Sequence, residues 1–149
     1  MGMILTSEGW IAVDGGTSPL HGRQVYEAMQ QISPQPVHSV ILTHRHFDHS
    51  FGSQAFDAPV ISSRRCKERF VQNLSDDWGP DEVHNWLKNT MFPHIPSLTE
   101  EEFADLELIS PSQTYSSAHE FKVGDTRIEF VPLEGVHTDE GIGIYLPNE

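Results

Sequence analysis

Four side chains able to bind a metal, His44, His46, Asp48 and His49, fall within six residues directly after the apolar run Val40-Ile41-Leu42. A metal ion needs several donors converging on one point, and a loop leaving the end of a rigid strand supplies them at modest ordering cost. Side chains alternate along an extended segment, so His44 and His46 point to the same side and both imidazoles can reach one ion. Asp48 and His49 come after the chain begins to turn and can reach a second ion nearby. Zinc, a borderline-soft ion, accepts this mixture of imidazole and carboxylate. A further piece is Pro132-Leu133-Glu134-Gly135-Val136-His137-Thr138, where His137 follows a strand and a glycine-containing turn. It completes a three-histidine set with His44 and His46, leaving a fourth position open.

The elements that must hold these residues alternate between strand and helix over the first 62 residues. Ile4 to Val13 reads as one strand ending in the turn Asp14-Gly15-Gly16. Gly22 to Ser33 reads as an amphipathic helix, with Val25, Ala28, Met29 and Ile32 on its apolar face and Pro34 and Pro36 stopping it. Val37 to Leu42 is a short buried strand that feeds the histidine loop. Ser50 to Phe56 follows as a short helix, and Pro59-Val60-Ile61 as the next strand. This order predicts an α/β layered domain with some parallel pairing. Arg64 to Leu74 and Pro80 to Asn89 read as helices, the second capped by Asp76 or Gly79. Met91 to Leu98, with Pro93 and Pro96, reads as extended loop. Phe121 to Phe130 reads as a hairpin turning at Gly124-Asp125, with Ile128 and Phe130 on one face and Arg127 and Glu129 on the other. Ile142 to Leu146 is a last strand.

Composition bounds the rest. The chain has 149 residues, 9 Lys+Arg against 22 Asp+Glu and a formal charge of -13. One domain fits this length. The negative field opposes binding to nucleic acid or to anionic membrane surfaces. No run approaches the roughly 20 apolar residues of a membrane span, and the opening Met1-Gly2-Met3 lacks the pattern of a signal peptide, which predicts a cytoplasmic protein. The single cysteine, Cys66, forms no intrachain disulfide and no CxxC zinc ribbon and reads as helix packing.

The segment Thr43 to His49 resembles the signature of the metallo-β-lactamase superfamily, and the resemblance extends over nearly the whole chain. Val13-Asp14-Gly15-Gly16 looks like the early strand and its Asp-Gly turn. Gly135-Val136-His137-Thr138 looks like the later Gly-His-Thr motif, with Val136 where the family usually has glycine. The resemblance implies an α/β (α+β) fold, a four-layer αβ/βα sandwich with the metals between the sheet edges. It implies two zinc ions in the usual case, with iron or manganese in some members. His44, His46 and His137 would hold one ion, and Asp48 and His49 would belong to the second. Residues 1–149 then read as the amino-terminal portion of that sandwich. Its opening strand is missing or very short, and residues 1–149 lack the usual later carboxylate and histidine ligands, as a fragment, a truncated chain or a chain that pairs with another copy would. The 37% hydrophobic content agrees with a core that expects another half or a second copy.

The implied activity is hydrolysis of an amide, ester, lactone or thioester of a small molecule by a zinc-activated water, with Asp48 as the catalytic residue that orients it. One zinc is expected to bind firmly and the second site weakly. The alternatives are a non-catalytic module acting as a homodimer, a higher oligomer or with a partner chain, and an iron-containing oxidoreductase of the same fold. Thr43 and Asp14 read either as ordinary turn residues or as supports for the metal loop. Trp78, Trp86 and Phe92 read as core or dimer packing or as walls of a pocket, flanked by His84 and His94. His21, His38 and His119 carry no supporting pattern, and Glu100-Glu101-Glu102 reads as a solvated helix start.

Overall fold

A computed structural model describes residues 1–76, 80–116, 118–133 and 135–147. Trp78, Gly79 and Glu134, singled out above, lie outside the described residues, as does the side chain of Asp76.

The segment Val37–Leu42 forms a strand whose last four residues are all buried. It occupies the centre of a five-stranded sheet ordered β1-β2-β3-β4-β5, formed by Gly2–Thr6, Gly9–Val13, Val37–Leu42, Val60–Ser63 and Gln113–Tyr115. The first pair is antiparallel and the other three are parallel. Parallel neighbours need helical crossovers. These are α1, Pro19–Ile32, between β2 and β3, and α3, Arg64–Asp76, on the way from β4 to β5. Between β3 and β4 the chain makes only a four-residue turn of helix, α2, Phe47–Ser50, and a 3-10 turn, Ser53–Phe56, where the sequence reads as one helix. The strands β6, His119–Val123, β7, Thr126–Pro132, and β8, Ile142–Tyr145, form a second, antiparallel sheet.

The alternation of β2, β3 and β4 divides the core between two layers. Trp10, Ala12, Val40, Leu42 and Val60 face the helices and pack with Met29, Phe56 and Cys66. Ile11, Ile41 and Ile61 face the second sheet and pack with Val123, Ile128, Phe130 and Ile142. The helix–sheet–sheet order is that of three of the four layers of an αβ/βα sandwich, and both sheets deliver their strand ends to the loops that carry the histidines.

Several expectations are corrected. The single strand expected from Ile4 to Val13 is a hairpin, β1 and β2, turning at Ser7-Glu8. Thr6 makes the turn by donating from Oγ1 to the Gly9 carbonyl and accepting from the Glu8 amide, and Gly9 adopts a positive φ of 116°. Residues 2–6 thus form a five-residue strand of their own at the edge of the first sheet. On α1 the buried residues are Pro19, Gly22 and Met29, with Val25 and Tyr26 packed beside them. Ala28 and Ile32 face solvent, because Gly22 lets the helix approach the Gly52 carbonyl and sets its rotation. The segment expected as extended loop from Met91 instead continues α4, Pro80–Trp86, through a π-helical turn, Leu87–Met91, into the helical turn α5, Phe92–His94. Pro93 lies at the start of α5, directly after the π-helical turn. The acidic run opens a short 3-10 turn, Glu100–Phe103. Among the described residues no helix is long and apolar enough to cross a membrane.

Candidate metal centre

The end of β3 fixes the first half of the centre. Leu42 is fully buried, and the next residues turn over the sheet edge, so His44 is only 7% exposed. The imidazoles of His44 and His46 lie on the same side, with ring centroids 4.7 Å apart. The loop between β7 and β8 brings His137 to them, at 5.0 Å from His44 and 4.9 Å from His46. One ligand atom from each of the three lies within 4.8 Å of the others. His137 Nε2 stands 3.1 Å from His46 Nδ1. That separation is close to the edge of a tetrahedron, about 3.3 Å, around an ion with zinc–nitrogen bonds near 2.0 Å.

The hydrogen bonds around the loop assign the protons. Asp14, at the end of β2, holds a left-handed φ of 65° and is 4% exposed. Its Oδ1 accepts from the Thr43 amide at 2.8 Å, and the Thr43 hydroxyl lies 3.0 and 3.1 Å from its two oxygens. A hydroxyl that donates to this carboxylate must accept from His44 Nδ1, 3.1 Å away. The His44 proton is then on Nδ1, and the Nε2 lone pair is bare. His44 Nε2 is buried and has no hydrogen-bond partner, an arrangement that costs stability unless something fills it. A metal ion at the centre of the three rings fits this atom.

Electrostatics agree. Burial, then the neighbouring His49 and His46, push His44 down to about 4. Burial, then Arg45 and His137, hold His46 below the ordinary histidine value. Both are neutral at pH 7, so a metal has no proton to displace from either. His49 is shifted the other way, raised chiefly by its hydrogen bond to Asp14, with Nδ1 to Oδ2 at 2.8 Å. This bond leaves Nε2 of His49 turned to Asp48, whose Oδ2 is 3.4 Å away. The rings of His44 and His49 are 4.0 Å apart. All five residues singled out in the sequence therefore gather at one place, three as a cluster and Asp48 with His49 as a pair beside it.

A cleft of about 260 Å³ adjoins the cluster, lined by Arg45, His46, Phe47, Asp48, Asn73 and Trp86. Phe47 and Trp86 pack edge to face across 5.4 Å. Behind them Phe51, Val83, Leu87 and Phe103 form a separate core cluster. Trp86 thus walls the cleft, whereas Phe92 packs on Phe103. His84 and His94 are exposed, His38 is exposed, and His119 stacks on Tyr115. His21 accepts from the Thr17 amide. The open alternatives for Thr43 and Asp14 resolve towards support of the metal loop.

Arg45 and Glu140 are contacts that sequence reasoning missed. Arg45 sits between the two loop histidines and donates from Nη1 to Glu140 Oε1 at 2.6 Å. The Glu140 side chain is fully buried. Its place three residues after His137 is a signal, but nothing in Thr138-Asp139-Glu140 marks which carboxylate faces inward.

The two packed sheets with a three-histidine cluster at their edges are a fold and a candidate metal centre that the comparisons place in one family. The pattern described as Metallo-beta-lactamase superfamily matches residues 1–149, and the chain belongs to that family. It is 32% identical over 114 residues to the 2,4-dinitroanisole O-demethylase subunit alpha of Nocardioides sp. (strain JS1661), covering 74% of this chain and 33% of that one. It is 24% identical over 167 positions to the linear primary-alkylsulfatase of Pseudomonas sp. (strain ATCC 19151), covering 98% of this chain and 31% of that one. The chain thus spans about a third of the length of these relatives. Among solved structures it resembles a metallo-beta-lactamase from Pontibacter korlensis, with a TM-score of 0.66, 19% identity and coverage of 97% and 54%. It also resembles the stereoselective inverting sec-alkylsulfatase Pisa1 from Pseudomonas sp., with a TM-score of 0.72, 18% identity and coverage of 97% and 26%.

Proposed function

We propose that this chain carries the zinc-binding portion of a hydrolase that cleaves an ester-like bond of a small molecule. The observation that carries the reading is the buried, unpartnered Nε2 of His44, a residue of a three-histidine cluster. His44, His46 and His137 would supply the three donors, beside a cleft that His46 also lines. When bound there, zinc would acidify a water and polarise the scissile bond. Asp48, exposed where it lines the cleft, would be the residue placed to orient such a water. Asp14 holds His49, and Thr43 holds His44, so neither ring has to reorganise during the reaction. The apolar wall of Phe47 and Trp86 seats the body of the substrate and keeps solvent from it.

The relatives support bonds wider than carboxylic esters, amides, lactones and thioesters. Their names point to sulfate esters and an aryl methyl ether, and both are small molecules with an apolar body. The test is a panel of chromogenic esters, sulfate esters, lactams and nitroaryl methyl ethers, offered to the zinc-loaded chain and to its His44→Ala variant. Zinc-dependent turnover of at least one, lost in the variant, is expected. Turnover of none, or turnover indifferent to His44, would reject the reading.

A further inference from the structure

We propose that the Arg45–Glu140 ion pair is the positioning element that sets the zinc affinity of the cluster, by clamping the loop of His137 to the loop of His44 and His46. The inference rests on the metal-centre reading given above.

The two ligand loops come from different sheets and are 91 residues apart in the chain between His46 and His137. His137 is itself exposed, so burial does not hold it. Its loop is held from beyond, at Asp139 and Glu140. The Glu140 side chain is buried completely, and its Oε1 meets Arg45 Nη1 at 2.6 Å. Its backbone carbonyl accepts from Ser63 Oγ at 3.0 Å, and the same oxygen of Ser63 accepts from the Cys66 amide at the start of α3. Asp139 accepts from Arg65 and Arg69 of α3, each at 2.7 Å. Asn73 is one turn further along the same helix face. With its amide turned to satisfy both neighbours, it accepts from Arg45 Nε at 3.3 Å. Helix α3 therefore grips both loops, and Arg45–Glu140 joins them directly.

The pair has the features of a device rather than a chance surface contact. Exposed ion pairs contribute little and hold no fixed geometry. Here one partner is removed from water and its second oxygen, Oε2, has no hydrogen bond, so loss of Arg45 would leave a buried charge uncompensated. Arg45 is one residue from each of two donors, and Glu140 is three from the other. A shift of either loop would spoil the 3.1 Å approach of His46 to His137, and ligand-orienting partners typically change metal affinity 10- to 100-fold.

The experiment measures zinc affinity of the 149-residue chain by competition with a chromophoric chelator, for wild type, Arg45→Met, Glu140→Gln and Asp139→Asn. Cobalt(II) absorption of each variant reports the geometry of the site. Unfolding of each metal-free variant is measured alongside. We expect zinc affinity to fall by about 10- to 100-fold in Arg45→Met and Glu140→Gln, with weakened cobalt bands and cooperative unfolding retained. Asp139→Asn, at an exposed link, should change affinity less. Affinities within twofold of wild type in both pair variants, with only the melt lowered, would overturn the inference and make the pair merely structural. If Glu140→Gln does not fold, Arg45→Met decides alone. A wild-type chain that binds no zinc would overturn the underlying reading, and is distinguishable because no variant is needed to see it.

Discussion

Asp14 and His49 are 35 residues apart in sequence, yet Oδ2 of the aspartate lies 2.8 Å from Nδ1 of the imidazole. The carboxylate receives Thr43 as well, so one side chain at the end of β2 organises the loop that follows β3. Parallel pairing makes this reach short: Val13 registers with Ile41, and the Asp14 amide donates to the Ile41 carbonyl.

Asp14→Asn is the clean probe of this relationship, because asparagine tolerates the left-handed backbone that Asp14 adopts. Loss of the charged acceptor at a buried site should destabilise the metal-free protein by about 1–3 kcal/mol. Denaturant unfolding measures it. A change of a few tenths would show that Thr43 and His49 find equivalent partners.

The metal-free protein should also show opposing pH trends from two neighbouring histidines. His44 titrates near 4 when folded against 6.5 when free. The unfolded chain therefore binds more protons between those values, and stability rises with pH across that window. His49 is raised above 6.5 by Asp14. Its contribution is complete below pH 6.5 and is lost as pH rises through the folded value. Unfolding free energies of chelator-treated protein from pH 4 to 9 should lose the acid slope in His44→Gln and the alkaline slope in Asp14→Asn. Slopes unchanged in both variants would contradict the assignment.

Much of the centre is legible in the sequence because its donors are local. His44 and His46 converge through the two-residue period of an extended chain, and that needs no tertiary information. The strand Val37–Leu42 is recognisable for the same reason. Its apolar end, Val40-Ile41-Leu42, is continuous because both faces are covered there. The hairpin Gly2–Val13 is hidden because its turn is made by Thr6 hydrogen bonds and Gly9 rather than by an Asn-Gly pair. The exposure of Ala28 and Ile32 is hidden because α1 is rotated by close packing at Gly22, which periodicity alone cannot weigh. Glu140 illustrates the general limit. The Glu140 carboxylate is buried against a cation 95 residues away in the chain, and nothing near it in sequence announces Arg45.

The satellite core under the cleft should matter as much as the sheet core. Phe51 is 1% exposed, follows directly after α2 and packs with Val83, Leu87 and Phe103. Phe51→Ala should cost about 3–5 kcal/mol through lost burial and the cavity left behind. Thermal or denaturant unfolding tests this, and a loss under 1 kcal/mol would show that the cluster collapses around the gap.

Trp86→Ala addresses the cleft. The ring walls the space beside His46 and Asp48 but donates no ligand to the histidine cluster. Zinc content should be unchanged, while kcat/KM for a substrate with an aromatic or alkyl body falls about tenfold, mostly through KM. Equal loss for a substrate with no such body would show that the ring supports the loop rather than the substrate.

The central claim is that His44, His46 and His137 form one zinc site. Its most direct test is zinc content after exhaustive dialysis, measured for the wild-type chain and for each histidine replaced singly by alanine. The account predicts one tightly held zinc per chain in the wild type and its loss in each of the three variants. A wild type that emerges metal-free, or a His44→Ala variant that keeps its zinc, would contradict it.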